Sequence, residues 1–279
     1  MRIALLGNVF QTKKNAYIKR VLKKLAELQA DICIEEGFAD FLNRELCVSL
    51  NGMDTFKMPH LKADLVISMG GDGTFLTSAA QVGARGIPIL GINTGRLGFL
   101  ADVSPEDIEN ALDAVFDGRY TIEQRAVIAM TLDGETYHGY PYALNEVAIL
   151  KHDNSSLIEI DTHINGALLT NYMSDGLIIS TPTGSTGYSL SVGGPIIVPR
   201  SGTFCLSPVA SHSLSTRPVI VCDDVVITLR VRSRSHNFLI AVDGRSESIS
   251  ENTTITLVMH QNFFDTLRDK MMWGADQRI

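Results

Sequence analysis

The chain has 279 residues, of which 45% are hydrophobic and 20% are charged, and its formal net charge at pH 7 is −7. This length favours two domains over one, and the apolar content is sufficient for a sizeable core. The acidic balance and the lack of a basic patch argue against a nucleic-acid partner, and no apolar stretch approaches the length of a membrane-spanning helix.

The N-terminal part alternates short buried strands with amphipathic helices. Strand candidates and helix candidates follow one another along the chain at residues 3–6, 18–28, 32–34, 65–69, 75–83, 88–92 and 104–118. In the last of these segments, Ser104 is expected to cap the helix, Pro105 suits its first turn, and Gly118 ends it. Strands that run without alternation into glycine loops are typical of a parallel sheet covered on both faces.

The C-terminal part has the pattern of antiparallel strands. Asp133–Gly134 and Asn165–Gly166 each separate two β-forming segments and predict hairpins. Residues 263–279 lack strand alternation. We therefore predict an α/β domain with a parallel sheet over residues 1–105, completed by 263–279, and an antiparallel, sandwich-like all-β domain over residues 106–262.

Cysteine usage and the N-terminal sequence bear on the cellular compartment. The four cysteines match neither a zinc spacing nor a CxxC pair. The first residues, MRIALLGNVF, lack the charged and apolar regions of a signal peptide. We therefore expect a reducing, cytoplasmic setting and no membrane partner.

The stretch ISMGGDGTFLTSAA, residues 67–80, places glycines between a strand and a helix. Glycines let backbone amides approach an anion, and a helix N-terminus favours negative charge, so the pattern predicts phosphate binding. No Lys-Ser/Thr pair follows, which excludes a Walker loop, and Leu76 stands where a Rossmann fingerprint has its third glycine. Asp72 could accept the proton of an alcohol during phosphoryl transfer. The alternative is that Asp72 only caps the helix.

A second stretch, DGLIISTPTGSTGYSLS, covers residues 175–191. A strand leads into a loop composed mostly of Ser, Thr and Gly, which offers many hydrogen-bonding groups and little bulk. Tyr188 adds one flat aromatic face on which a base could stack. The alternative is an ordinary polar surface loop, although dense loops of this kind often carry function.

Five stretches of the chain form a recognisable combination, namely GGDGT at 70–74, NTGRLGFL at 93–100, Asn145–Glu146 within ALNEVAI, DGLIISTPTGSTGYSLSVGGPI at 175–196 and AVDG at 241–244. Together and in this order they resemble the NAD kinase family. GGDGT alone is weak, because lipid kinases and phosphofructokinases share versions of it. The long stretch at 175–196 is specific to NAD kinases.

This resemblance implies an α/β domain plus a β-sandwich, and ATP-dependent phosphorylation of the adenosine ribose 2′-hydroxyl of NAD to give NADP. It also implies a divalent cation, Mg²⁺ held largely by the ATP phosphates, and a homo-oligomer, either a dimer or a tetramer. Two alternatives stay open: another GGDGT-type kinase acting on a lipid or a sugar, and a non-catalytic sensor of NAD or NADP.

The resemblance also implies roles for individual residues. Asp72 is the expected proton acceptor. The expected substrate contacts are Asp72, Gly73, Asn145, Glu146, Asp175, Thr186, Gly187, Tyr188, Ser189, Leu190, Ser191 and Ala210. Arg245 is expected at the edge of the site, and the metal ligands are left open. Gly187 departs from the family, which usually has alanine there, and we expect this change to leave activity intact.

Overall fold

The structure is a computed structural model that describes residues 1–9, 15–50, 52–95, 98–153 and 156–269. The chain forms two compact units. Among the described residues, the first comprises Met1–Gln124 together with the segment that begins at Phe264 and is described to Asp269, and the second comprises Arg125–Phe263. Within the described residues, no helix has both the length and the apolar character needed to cross a membrane.

The first unit alternates strands and helices, as the sequence predicts. Its elements are β1 (Arg2–Gly7), α1 (Asn15–Glu27), β2 (Asp31–Glu35), α2 (Glu36–Arg44), β3 (Asp54–Phe56), β4 (Leu65–Gly70), α3 (Asp72–Val82), β5 (Ile89–Asn93) and α4 (Ile108–Phe116). The strands lie in the order β5-β4-β1-β2-β3, and every neighbouring pair is parallel. The predicted parallel α/β sheet is confirmed.

The core of this unit explains why it extends beyond the expected boundary at residue 105. The apolar stripes of α1 and α4 are buried in one cluster with strand residues such as Ile3 and Leu5. Ile108 and Leu112 of α4 are fully buried there, so the helix belongs to the first unit. Its start also differs from expectation, because the Ser104 hydroxyl donates to Asp107 Oδ2 at 2.8 Å and caps no backbone amide.

The order of the strands marks one edge of the sheet as a ligand site. The chain moves outward from β1 in one direction to β2 and β3, and in the other direction to β4 and β5. In open parallel sheets, ligands bind outside the carboxyl ends of the strands, where the strand order reverses. Gly70 ends β4 beside this reversal. The topology therefore places the glycine motif at a favourable position for binding.

The second unit is built from antiparallel strands. Its elements are β6 (Tyr120–Leu132), β7 (Glu135–Thr136), β8 (Tyr142–Ala143), β9 (Glu146–Lys151), β10 (Ile158–Ile164), β11 (Ala167–Ser174), β12 (Gly176–Ser180), α5 (Tyr188–Ser191), β13 (Thr203–Val209), β14 (Val219–Cys222), β15 (Ile227–Arg232), β16 (Asn237–Val242), β17 (Arg245–Ser250) and β18 (Thr254–Asp269). β6 begins in the first unit, and β18 ends there.

These strands form two layers around one apolar core. One layer has the order β11-β10-β15-β18, with β6 also paired to β18, and the other has the order β14-β13-β12-β9-β16-β17. Inward residues of both layers are buried in a single cluster, for example Ile160 and Leu229 with Ile149 and Phe238. The predicted sandwich-like domain is confirmed.

The local turns of this unit follow from the sequence, whereas its last strand does not. Asp133–Gly134 and Asn165–Gly166 all have positive φ, as a two-residue hairpin turn requires. β18 continues as a strand to Asp269 although its last part lacks alternation, and Thr266 pairs in parallel with Ile89 of β5. Residues 270–279, part of the expected C-terminal completion, lie outside the described residues.

Candidate functional site

The glycines of the GGDGT motif differ in how much space surrounds their Cα atoms. A Cβ added to Gly70 would lie 2.1 Å from Thr74 Oγ1, so the packing of the chain itself excludes a side chain there. A Cβ added to Gly71 or Gly73 would meet no atom within 4 Å. These two glycines leave open space at the start of α3, where the first helical amides have no partner within the helix. The space suits an anionic group that approaches the backbone closely.

Asp72 is the first residue of α3, and its carboxylate binds the loop after β5. The amides of Phe99, Leu100 and Ala101 donate to it at 2.8, 2.9 and 3.2 Å. The helix cap is Gly71, and no side chain makes a capping bond. The alternative in which Asp72 only caps its own helix is therefore wrong. A Cβ on Gly98 would lie 2.2 Å from Asp72 Oδ1, so this close approach requires glycine.

The ends of β4 and β5 are joined by further bonds. The amide of Thr94 donates to Gly70 O at 3.0 Å, and the Asn93 side chain accepts from the amide of Gly95 at 2.6 Å. The two expected motifs, GGDGT and NTGRLGFL, thus form one connected structure. Arg96 and Leu97 of the second motif lie outside the described residues.

In the second unit, Asn145 precedes β9 and Glu146 begins it, and each side chain carries an oxygen that accepts no hydrogen bond from any described residue. Glu146 is 8% exposed. Among the described residues, Asn145 Oδ1 and Glu146 Oε2 are buried without a hydrogen-bond partner. Leaving a buried polar atom unsatisfied costs about 1–3 kcal/mol. Two atoms of this kind on consecutive residues indicate a place for a ligand that supplies hydrogen-bond donors.

The electrostatic environment of Glu146 disfavours its charged form. Burial raises the pKa of Glu146 to about 7, and the nearby Asp243 carboxylate raises it as well, while the amide of Tyr188 acts in the opposite direction. A carboxyl group that titrates near neutral pH is a frequent property of functional sites.

The Asp243 side chain fixes the backbone of Asn145 and Glu146. Its carboxylate accepts from the amides of Leu144, Asn145 and Glu146 at 2.8, 2.8 and 3.1 Å. The amide of Asp243 in turn donates to Glu146 O at 3.0 Å. Burial raises the pKa of Asp243, and these three amide donors oppose that effect.

The polar loop after β12 packs against Asn145 from its other side. Thr181 Oγ1 donates to Leu144 O at 2.6 Å, and the amide of Thr181 donates to Asn145 O at 2.9 Å. A Cβ on Gly184 would lie 2.1 Å from Asn145 O. The alternative of an ordinary surface loop does not fit this packing, because residues 181–185 are buried.

The expected contact segment at 186–191 is divided between exposed and buried positions. Tyr188 is 39% exposed and Leu190 is 41% exposed, and Ser191 is exposed as well. Thr186 and Gly187 are half-buried. Ser189 is fully buried, and its hydroxyl lies 2.9 Å from that of Ser207. The side chain of Ser189 therefore supports α5 from behind.

Gly187 borders the unsatisfied carboxylate oxygen. A Cβ at this position would lie 3.0 Å from Glu146 Oε2 and 3.3 Å from Asn145 Nδ2. Its backbone φ is −89°, outside the left-handed region that favours glycine. Glycine therefore leaves additional space beside the unpaired oxygen of Glu146 and the side-chain amide nitrogen of Asn145.

Asp175 and Ala210 lie at the far end of the same strands. β12 pairs with β9 so that Ser180 faces Glu146, and Asp175 precedes the other end of β12. At about 3.3 Å per residue this separates Asp175 from Glu146 by roughly 16 Å. Asp175 forms an ion pair with Lys151 at 2.7 Å, and Ala210 has φ +45°.

Arg245 lies just after Asp243 and stacks on an aromatic ring. Its guanidinium carbon lies 4.3 Å from the centroid of Tyr140. Its Nε and Nη2 atoms are buried and have no hydrogen-bond acceptor within the described chain.

The roles of Asp243 and Gly98 were not predicted from the sequence. Asp243 stands in the AVDG stretch and Gly98 in NTGRLGFL, so both motifs were visible, but only tertiary contacts reveal what each residue holds. As for metals, no group of three or more His, Cys, Asp or Glu side chains in the described parts of the chain could hold an ion.

Comparison with known proteins matches both units. Residues 9–120 match the ATP-NAD kinase N-terminal domain, and residues 144–267 match the ATP-NAD kinase C-terminal domain. An NAD kinase of Bacteroides fragilis is 53% identical over 290 aligned positions, covering 100% of both chains. An NAD kinase of Porphyromonas gingivalis is 42% identical, covering 99% of both.

Solved structures agree in fold. An NAD kinase from Archaeoglobus fulgidus in complex with ATP has a TM-score of 0.74 and 26% identity, covering 97% of this chain and 94% of its own. Yeast NADH kinase complexed with NADH has a TM-score of 0.86 and 21% identity, covering 96% of this chain and 82% of its own.

Proposed function

The chain belongs to the NAD kinase family and is a phosphotransferase that uses ATP and NAD, and we propose that it transfers the γ-phosphoryl group of ATP to the adenosine ribose 2′-hydroxyl of NAD. The product is then NADP.

One observation carries the placement of NAD. Asn145 Oδ1 and Glu146 Oε2, on consecutive residues, are buried acceptors without donors in the described chain. A ribose presents hydroxyl groups, which can donate to both. Each buried, unpaired polar atom costs free energy, and a ribose that donates to both acceptors would remove this cost. We therefore assign Asn145 and Glu146 to the ribose of NAD.

The start of α3 is assigned to the phosphates of ATP. Gly71 and Gly73 leave open space beside backbone amides. The N-terminus of this 11-residue helix adds partial positive charge, which favours an anion. The donor phosphates lie along this backbone in our proposal, with Gly73 among the contacts.

Asp72 is proposed as the proton acceptor. An ionised carboxylate offers about four acceptor positions, and amides of the loop after β5 occupy three of those on Asp72, two on Oδ1 and one on Oδ2. The remaining position on Oδ2 is available to a substrate hydroxyl. The three amides also fix the direction of the carboxylate, and positioning supplies much of the acceleration in phosphoryl transfer.

The family implies a divalent metal, and we propose Mg²⁺. The described side chains form no cluster that could hold it alone. Mg²⁺ is usually bound through one or two carboxylates and substrate phosphates rather than by a cluster of side chains. We therefore propose that the ion enters the site with ATP. When bound, the ion neutralises charge on the phosphates.

The remaining contacts to NAD are proposed from exposure. Tyr188 offers an exposed ring for base stacking, with Thr186, Gly187, Leu190 and Ser191 around it, and Ser189 supports this segment from within. Asp175 and Ala210, roughly 16 Å along the strands, are assigned to a more distant part of the dinucleotide.

We also propose a homo-oligomer, a dimer or a tetramer, in the cytoplasm. Leu168, Met173 and Leu214 of the second unit are large apolar residues with high exposure, as expected of an interface. The four cysteines, all in described parts of the chain, are free, which fits a reducing compartment. Light scattering after gel filtration measures the assembly.

The first experiment tests Asp72. Asp72→Asn, assayed for NADP formation with NAD, ATP and Mg²⁺, should lose about 10²–10⁴-fold in kcat. Binding of NAD and of ATP, measured by calorimetry, should stay within a few-fold of the wild type. Asp107→Asn, a surface carboxylate at the start of α4, is the matched control and should behave as the wild type. Near-normal turnover of Asp72→Asn would remove it from the mechanism.

The second experiment tests the ribose assignment. Asn145→Ala and Glu146→Gln should each raise the KM for NAD about tenfold and leave the KM for ATP within a factor of about two. Equal changes in both constants would contradict the assignment. The same assay with NADH and with polyphosphate defines acceptor and donor preference.

A further inference from the structure

We propose that Asp243 is a positioning residue for NAD: its carboxylate fixes the backbone segment 144–146 that presents Asn145 and Glu146 to the substrate. This inference rests on the ribose assignment made above and extends it to a residue that acts through others.

The hydrogen bonds of Asp243 converge on one short segment. Its Oδ2 accepts from the amide of Leu144 at 2.8 Å, and its Oδ1 accepts from the amides of Asn145 and Glu146 at 2.8 and 3.1 Å. The amide of Asp243 returns a bond to Glu146 O at 3.0 Å. Four bonds from one residue define the path of three consecutive residues, so the direction of both ligand-facing side chains depends on it.

The turn that carries Asp243 brings it to this segment. β16 pairs with β9 so that Val242 faces Val147, and the next residue on each strand end is Asp243 and Glu146. Asp243 has φ +46° and Gly244 has φ +80°. Asp and Asn adopt the left-handed region more readily than most residues. Asparagine therefore preserves this turn and the shape of the side chain, while removing the charge.

Asp243 also sets the charge near Glu146. The groups that face Glu146 are the Asp243 carboxylate and the amide of Tyr188, and Arg245 acts on Asp243 from the same turn. Burial raises the pKa of Asp243, whereas its three amide donors and Arg245 oppose that effect, because charge-assisted bonds favour the anion. Burial, and then the Asp243 carboxylate, raise the pKa of Glu146 to about 7.

The chain contains a matched control. Asp133 is also followed by glycine in a hairpin of the second unit, has φ +50°, and accepts a backbone amide, that of Thr254, at 2.8 Å. It touches neither Asn145 nor Glu146 in the described contacts. Asp133→Asn therefore reproduces the substitution and the turn without the proposed role.

The experiment measures KM and kcat for both substrates, and the pH dependence of kcat/KM for NAD, in the full chain. Asp243→Asn should raise the KM for NAD about 10- to 100-fold, with the KM for ATP within about threefold, because charged hydrogen bonds to three amides are lost. In the wild type, kcat/KM for NAD should rise through about pH 7 as Glu146 ionises. In Asp243→Asn this rise should move to lower pH, because the neighbouring negative charge is gone.

A second variant separates geometry from charge. Asp243→Glu keeps the charge but changes the reach to the three amides, so it should raise the KM for NAD and leave the pH midpoint unchanged. Asp133→Asn should match the wild type in every constant. A merely structural role of Asp243 would instead lower the active fraction, which changes kcat alone and leaves KM and the pH midpoint in place.

The outcomes distinguish this inference from the ribose assignment. If Glu146→Gln leaves the KM for NAD unchanged, the ribose assignment fails. If Glu146→Gln raises that KM while Asp243→Asn and Asp243→Glu both keep wild-type values, only the positioning role is overturned. A selective rise in the KM for NAD in either Asp243 variant, with Asp133→Asn unchanged, supports it.

Discussion

Glu146→Gln should stabilise the protein at alkaline pH, because the folded protein holds this carboxyl in a place that disfavours its charge. Burial, and then Asp243, raise the pKa of Glu146 from 4.5 to about 7. The folded state therefore binds the proton more tightly than the unfolded state. The stability that this provides is fully present below pH 4.5 and is lost as pH rises through about 7.

The size of this effect follows from the two pKa values. At about 1.36 kcal/mol per pH unit, complete ionisation costs the folded state about 3 kcal/mol. Between about pH 5 and about pH 8.5 the wild type should lose roughly 2–3 kcal/mol relative to Glu146→Gln, which has no proton to release.

Urea unfolding followed by circular dichroism at these two pH values measures the difference. Glu135→Gln, at an exposed position on β7 of the same unit, is the control and should keep the pH dependence of the wild type. The reasoning is refuted if the wild type and Glu146→Gln show parallel stability curves across this range.

Three glycine variants test the close contacts of the site. Gly98→Ala places a Cβ 2.2 Å from Asp72 Oδ1 and should lower kcat about 100-fold by displacing the carboxylate, as steady-state assays would show. Gly71→Ala, whose Cβ meets no atom within 4 Å, should unfold at the wild-type temperature yet raise the KM for ATP about tenfold, since the phosphates need that space; an unchanged KM would contradict the phosphate assignment. Gly187→Ala covers Glu146 Oε2 from 3.0 Å and should move the rise of kcat/KM for NAD to higher pH, and a shift to lower pH would contradict this account.

Much of the fold could be predicted because its signals are local. The strands ending at Gly70 and Asn93 are continuous apolar runs, and the Asp133–Gly134 turn has the backbone that this dipeptide favours. A helix was predicted over residues 104–118 and is observed over 108–116, but the unit to which it belongs was not predicted. Its assignment depends on Ile108 and Leu112 entering a core built from residues about a hundred positions earlier, which no local pattern contains.

By itself, the sequence determined the family, the two kinds of domain and the residues in which the chemistry was to be sought, because glycines, helix periodicity and turn dipeptides act on their immediate neighbours. Tertiary structure alone decided what those residues do for one another. It turned Asp72 toward the amides of residues 99–101 and Asp243 toward those of 144–146, and it buried Ser189 behind the surface that Tyr188 presents. The physical reason is that hydrogen bonds and burial join residues about 27 to 99 positions apart in the chain, and these contacts exist only once the sheets have formed.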